Sequence, residues 1–417
     1  MTTQFSVPIR ANRTVAVTGI GMLTAAGPTT DSTWAALCRG RGLARRLNNL
    51  AGLPVEFGCA VPNFDAATEL GHRLARRLDR FTQFAMIAAR QAVTDADLDT
   101  CVWNSARVGV VLGVGSNSLS GYVREFTLLG QGHPSHVSPL ALPRSVPNMA
   151  AAEVAIDLGA TGPNFTIASA CASGATAIGV AADLISSGTC DIVLAGGAEC
   201  GLAPMTVSCF ARMHALSRRS GDPATASRPF DTNRDGFVLS EGAAVLVLEH
   251  PRHALRRRAS PRALLRGHAS TSDAHHPVAP DPYAAGAEAA IRTALSNAGC
   301  TSRDIDHVNT HGTSTRLGDA AEALAMLRVF GENQPLATAP KSVLGHALGA
   351  AGAIEAALSV LALHHQLIPP TANLSYQDPS LPLNIVSGRP LATPLAMVVT
   401  NSFGFGGHNS VLVFSTP

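Results

Sequence analysis

The chain has 417 residues and a net charge of only +2, from 31 Lys and Arg against 29 Asp and Glu with His neutral. That balance excludes a protein whose task is to coat nucleic acid, which needs a large basic excess. The hydrophobic fraction of 46% excludes general disorder. Only 14% of residues are charged, about half the usual share of roughly 25%, as a large interior and a surface covered by another subunit would produce. Thirty of the basic side chains are Arg and one is Lys, Lys341. The bias reads as genomic, which makes the single retained Lys worth following.

At roughly 150 residues per domain the length predicts two to three domains. Residues 1 to 12 read as a loose arm without the apolar core of a secretory signal. Thr14 to Gly19 predicts a buried strand running into a Gly-containing turn. The same grammar recurs at 107 to 115, 164 to 170 and 191 to 199, with a helix predicted from Ala172 to Ser186. Alternating strand and helix, with strands buried on both faces, means α/β. The basic stretch 252 to 266 reads as a seam between halves. Beyond it come a strand at 306 to 314, helices at 319 to 330 and 350 to 364, and a terminal hairpin around a Gly-rich turn. Each half starts with a strand and places chemistry at strand ends, the mark of an old duplication. No stretch of about 18 continuous apolar residues is present.

The eight Cys lie at 38, 59, 101, 171, 190, 200, 209 and 300, with no CxxC spacing. Neither a zinc site nor a redox pair is indicated, and a reducing cytoplasm is the expected setting. Seven read as buried structural thiols. Cys171 differs. It falls where a strand ends in Thr166-Ile-Ala-Ser-Ala and a small-residue helix begins. Unpaired amides at a helix start favour the thiolate, the nucleophilic form. His311, in Asn309-Thr-His-Gly-Thr313-Ser-Thr315, and His346, in Lys341-Ser-Val-Leu-Gly-His346, are flanked by Gly that lets a ligand approach. Asp231 to Gly242 is a near miss for a calcium loop. Its twelfth position is Gly242, and Glu241 falls one residue short, so calcium is rejected. The 401 to 410 turn lacks the phosphate-loop context of strand before and helix after. Arg73, Arg76, Arg77 and Arg80 fall at i, i+3, i+4 and i+7, one face of a helix. That stripe is either a solvated face or a dock for an acidic partner.

A Cys at a strand-to-helix turn, then HGTST, KSVLGHALGAAG and a terminal GFGG, in that order, resemble the β-ketoacyl-acyl-carrier-protein synthases of the chain-elongating synthase II type. The resemblance covers nearly the whole chain and takes in RPFDTNRDGFVLSEGA. It implies a thiolase-like layered αβαβα fold of two pseudo-repeated halves, 12–258 carrying the Cys and 259–417 carrying both His and the Gly-rich loop. It implies decarboxylative Claisen condensation of malonyl-carrier protein with a Cys171-bound acyl chain, in fatty-acid or polyketide and polyene synthesis. His311 and His346 would bind the malonyl thioester. Lys341 would order the site, paired with Glu322, beside Asp319, Thr313 and Thr315. The amides of Cys171 and Phe403 would form the oxyanion hole, with Phe403, Gly404 and Phe405 on the gating loop. Ser116 and His276 would line the acyl pocket, the small Ser116 leaving room for a longer chain. The Arg73, Arg76, Arg77 and Arg80 stripe would dock the acidic acyl carrier protein, which itself delivers phosphopantetheine, so no resident cofactor or metal is expected. The partner subunit would be a second copy or a chain-length-factor-like protein. Two rivals remain: a catalytically silent chain-length subunit, which would lack the Cys, and a cysteine hydrolase, which would need no second His.

Overall fold

A computed structural model describes residues 14–116, 119–219 and 221–417. The expected arm at 1 to 12 lies outside them. In chain order the strands used below are β1 (Val15–Leu23), β2 (Val108–Gly113), β3 (Asn164–Ile167), β4 (Ile192–Cys200), β5 (Glu241–Glu249), β6 (Ala263–Ser272), β7 (His307–Asn309), β8 (Leu336–Thr338), β9 (Asn384–Ile385), β10 (Met397–Gly404) and β11 (His408–Ser415). The helices are α1 (His72–Arg77), α2 (Arg80–Asp95), α3 (Met149–Leu158), α4 (Ser173–Ser186), α5 (Ala285–Ala298), α6 (Arg316–Phe330), α7 (Lys341–Leu344) and α8 (Ala351–His365).

The duplication is visible in the strand order. The first five strands lie side by side as β3-β2-β4-β5-β1. In the second half the corresponding order is β8-β7-β10-β11-β6, with β9 added outside β8. Each set therefore runs third, second, fourth, fifth, first. In each, the first three are mutually parallel and the remaining pairings are antiparallel. The sets meet where Val15, Ala16 and Val17 of β1 pair with Leu265, Leu264 and Ala263 of β6. Val/Leu-rich runs such as VGVVLG fit strands covered on both faces, and β1, β2, β4 and β5 are almost wholly buried. β3 departs from the sequence expectation. It is an edge strand, half exposed, and Phe165 on it is 46% exposed.

Helices complete five layers. α2 and α3 cover the outer face of the first set of strands, α5 covers that of the second with α6 packed on α5, and α4 and α8 lie between the two sets. Ala351 to Leu363 of α8 are buried at every position. The segment Leu348–His365 is long and apolar enough to cross a membrane, but 89% of it lies inside the protein, as in a core helix. The two middle helices touch through small residues. A Cβ on Gly174 would meet the Ala353 nitrogen at 2.7 Å, and one on Gly352 would meet the Ala175 nitrogen at 2.8 Å. A Gly352→Val protein is therefore expected to lose about 2 kcal/mol or more, the usual scale of overpacking. Chemical denaturation should show a lower midpoint at unchanged slope.

Candidate active site

In a parallel pair, the chain leaves every strand at the same edge, and functional groups gather there. The turn after β3 carries Cys171, the turn after β7 carries His311, the segment after β8 carries Lys341 and His346, and β10 ends at Gly404–Phe405. Because α4 and α8 touch at their N-terminal ends, these edges of the two halves face one cavity. It encloses about 340 Å³, and Cys171, His311, His346, Phe403, Gly404 and Phe405 are among its walls.

Cys171 sits in a tight 3-10 turn, Ala170–Ala172, that runs directly into α4. Ala170 holds φ 49, a left-handed value that costs an L-residue energy. Ser173 pins the turn by donating to the Ala170 carbonyl (2.6 Å) and accepting from the Ser169 amide (2.9 Å). A Cβ on Gly404 would lie 2.8 Å from the Ser169 carbonyl and 3.0 Å from the Cys171 nitrogen. Only Gly lets the loop lie on the nucleophile turn. Burial pushes the Cys171 thiol up to about 12, against the pull of Lys341 and of the Phe405 and Cys171 amides. A shift in that direction favours the protonated thiol, because desolvation outweighs the helix start that would favour the thiolate.

Both imidazoles are neutral. Burial pushes His311 and His346 well below the usual histidine value, and the Lys341 charge pushes further. Their rings stand edge to face with centroids 5.4 Å apart. Phe237 packs edge-on against His346 at 5.2 Å. The Lys341 ammonium lies 3.3 Å from His311 Nδ1. An ammonium can only donate, so Nδ1 accepts and the ring proton is on Nε2. Glu322 binds the His311 turn through backbone rather than ring, accepting from the His311 and Gly312 amides at 2.8 Å each and from Asn401 at 3.0 Å. Asp319 does the same one turn earlier for Ser314 and Phe230. Thr315 caps α6 by accepting from the Gly318 amide, and its hydroxyl meets that of Thr313 at 2.9 Å. A protonated thiol beside two buried, neutral N–H donors suits acyl transfer followed by stabilisation of a thioester oxyanion. Among the described residues, no three His, Cys, Asp or Glu side chains cluster to hold a metal ion.

Comparison with known proteins decides the family. Residues 12–254 match the family described as Beta-ketoacyl synthase, N-terminal domain, and residues 262–375 match Beta-ketoacyl synthase, C-terminal domain. The chain belongs to the β-ketoacyl synthase family. It is 39% identical to 3-oxoacyl-[acyl-carrier-protein] synthase 2 of Synechocystis sp. over 96% of this chain and 97% of that protein. To the protein of the same name from Coxiella burnetii it is 38% identical over 97% and 98%. Among solved structures it resembles the ishigamide ketosynthase/chain length factor (TM-score 0.91, 33% identity, 98% of this chain and 100% of that one). It also resembles a β-ketoacyl synthase from Burkholderia phymatum (0.91, 35%, 97% and 99%). A third likeness is to a type II polyketide acyl-carrier protein in complex with its ketosynthase bound to the hexaketide (0.90, 30%, 98% and 100%).

Several sequence assignments need correction in this synthase. Lys341 pairs with Glu355, not Glu322. Both side chains are 3% exposed, and burial still lifts Glu355 to about 7 despite the cation. Phe405, not Phe403, turns its amide toward the Cys171 sulfur. Phe403 belongs to β10, opposite Asn409, with its ring 6.0 Å from that of His311. Ser116 is not on the cavity wall; its hydroxyl donates to Glu199 at 3.0 Å. His276 is exposed and caps its own loop by accepting from the Val278 and Ala279 amides. The arginine stripe does not share one helix, because α1 ends at Arg77 and α2 begins at Arg80. Arg77 is tied to Glu153. Arg80 grips Glu241 through two bonds of 2.6 and 2.8 Å beneath the rings of Phe64 and Phe84. Arg73 and Arg76 alone stay exposed. Glu355 was missed although it had a signal: a lone acid on an apolar helix, facing a lone lysine.

Two measurements check this electrostatic picture. Ring resonances of His311 and His346 should not titrate between pH 5.5 and 8, the range in which an unperturbed imidazole near 6.5 does; a midpoint near 6.5 for either would show that it is not held neutral. Lys341→Arg should cut kcat at least about tenfold while keeping the charge, because a planar guanidinium cannot fill a compact ammonium's buried place between Glu355 and His311. Near-parent turnover would remove Lys341 from the machinery.

Proposed function

We propose that this synthase joins a Cys171-bound acyl chain to the two-carbon unit of malonyl-acyl carrier protein, with loss of CO2, to give β-ketoacyl-carrier protein. The observation that carries the reading is the pair of neutral imidazoles sharing one cavity with a buried thiol. In the first half-reaction the Cys171 sulfur attacks the acyl thioester, and its proton passes to the phosphopantetheine sulfur, which leaves as the thiol. The amides of Cys171 and Phe405 face the sulfur and stabilise the tetrahedral oxyanion. In the second, His311 and His346 donate to the malonyl thioester oxygen, and negative charge collects there as the C–C bond to CO2 breaks. The resulting enolate attacks the Cys171 thioester, and the thiolate departs. Splitting one hard condensation in two is the gain of covalent catalysis. The phosphopantetheine arrives on the carrier protein. A hydrolase would have no use for two donors that stay uncharged.

The exposed Arg73 and Arg76 suit an acidic carrier protein, with Arg77 and Arg80 holding their helices in place. The boundary at 258/259 divides the halves between β5 and β6. The exposed edge of β3 suits a subunit partner. Among the described residues nothing pairs with its outer side, and α3 packs against it with Ile156 69% exposed. On the helix Val123–Gly130, linked to the 141–145 helix by the Glu125–Arg144 ion pair, Val123, Phe126 and Leu129 are exposed as well. Apolar patches and bare strand edges of this kind are covered in stable proteins. The cover is a second copy or a chain-length-factor-like subunit, as in the ishigamide ketosynthase/chain length factor. Eight unpaired thiols suit a reducing cytoplasm.

Incubation with acyl-carrier protein should add one acyl mass to Cys171, and malonyl-carrier protein should then discharge it as ketoacyl product. Cys171→Ala should take up nothing. Absence of both steps in the parent would sink the reading, and release of free acid alone would make it a hydrolase.

A further inference from the structure

Glu199 lies one residue before the end of β4, buried at 2% exposure, and forms no ion pair among the described residues. One of its oxygens accepts from the Gly115 amide at 2.8 Å and the Gly349 amide at 3.2 Å; the other accepts from the Ser116 hydroxyl at 3.0 Å. These donors come from opposite halves of the chain. Gly115 follows β2, whereas Gly349 lies three residues beyond His346, in the turn Leu348–Ala350 that opens α8. The junction leaves no room for side chains. A Cβ on Gly349 would meet the Gly115 nitrogen at 2.1 Å, and one on Gly197 would meet the Gly113 and Gly349 carbonyls at 3.0 Å each.

The carboxylate does not serve the nucleophile directly, since its charge disfavours the Cys171 thiolate. Nor is His346 oriented through its inner ring nitrogen, because Nδ1 is buried without a partner among the described residues. The ring is carried by its backbone: the His346 amide donates to Val238 at 2.7 Å, and the turn beyond is held by Glu199. We propose that Glu199 is a positioning residue of the condensation site. By holding the Gly115 and Gly349 amides and the Ser116 hydroxyl on one carboxylate, it fixes the turn carrying His346 against the half that carries Cys171. The inference rests on the condensation reading above. It locates the effect in the second half-reaction: acylation needs the thiol and the oxyanion amides, whereas decarboxylation needs both imidazoles at one oxygen, and a displacement of about 1 Å there is costly.

The test is Glu199→Leu, which keeps about the same size but leaves the Gly115 and Gly349 amides and the Ser116 hydroxyl without their acceptor. Acylation of Cys171, read as mass increment against time, should stay within about threefold of the parent. Decarboxylation of malonyl-carrier protein should fall at least about tenfold in kcat, with KM within about threefold. Condensation kcat within about twofold of the parent would overturn the proposal. So would an equal loss of both half-reactions, which marks a merely structural role. Should the variant not fold, hydrogen exchange in the parent protein decides. The Gly115 and Gly349 amides should exchange slowly, and exchange as fast as that of open loops would overturn the clamp. A parent that makes no ketoacyl product would sink the condensation reading instead, and amide protection would still report on Glu199.

Discussion

The close contact between α4 and α8 is the constraint on which the rest depends. Two helices buried between layers of strands cannot bring their first turns together unless the residues there carry a methyl group or nothing, and Gly174, Ala175, Gly352 and Ala353 meet that condition. The contact joins two halves whose strands also meet where β1 pairs with β6. It also makes one cavity out of two sets of strand ends. A thiol from the first half and two imidazoles from the second then face the same few hundred cubic ångströms. The duplicated topology supplies equivalent edges, and the small residues bring them within reach of one substrate.

The ionisable side chains around that cavity are buried, and burial governs their charges. Burial holds the thiol protonated and both imidazoles neutral, while Glu199, Glu355 and Asp319 are each lifted to about 7. Desolvation acts on all of them in the direction that removes charge. Lys341 pairs with Glu355 and lies against the ring nitrogen of His311 that accepts from it. A site built this way needs no large rearrangement when charge appears on a thioester oxygen, because its donors are already aimed and already uncharged.

The frame was legible in the sequence because its signals are local. Apolar runs ending in small residues placed nearly every strand, and the 408 to 415 return of the hairpin followed from its Gly-rich turn. Cys171, His311 and His346 were legible for the same reason: each sits at a strand end among residues too small to hide it. Partnerships across the fold were not. Glu322 precedes Lys341 in sequence and Glu355 follows it, and only the packing of the fold decides that Glu355 reaches it. Phe403 and Phe405 lie on either side of the end of β10 at Gly404, and the sequence does not show which of the two leaves the ladder to face the thiol. The arginine stripe failed because Leu78 and Asp79 break the helix, a break with no Gly or Pro to announce it.

One feature of composition acquires a practical meaning from the fold. Lys341 is the chain's single side-chain amine, and it lies 2% exposed beneath the reaction cavity. Reagents that acylate amines therefore find no lysine on the surface of the described structure. Modification at 341 requires the packing around Glu355 and His311 to open, so its rate is a clock for that opening. The protein carries, in its one lysine, a built-in reporter of how often the floor of its site loosens.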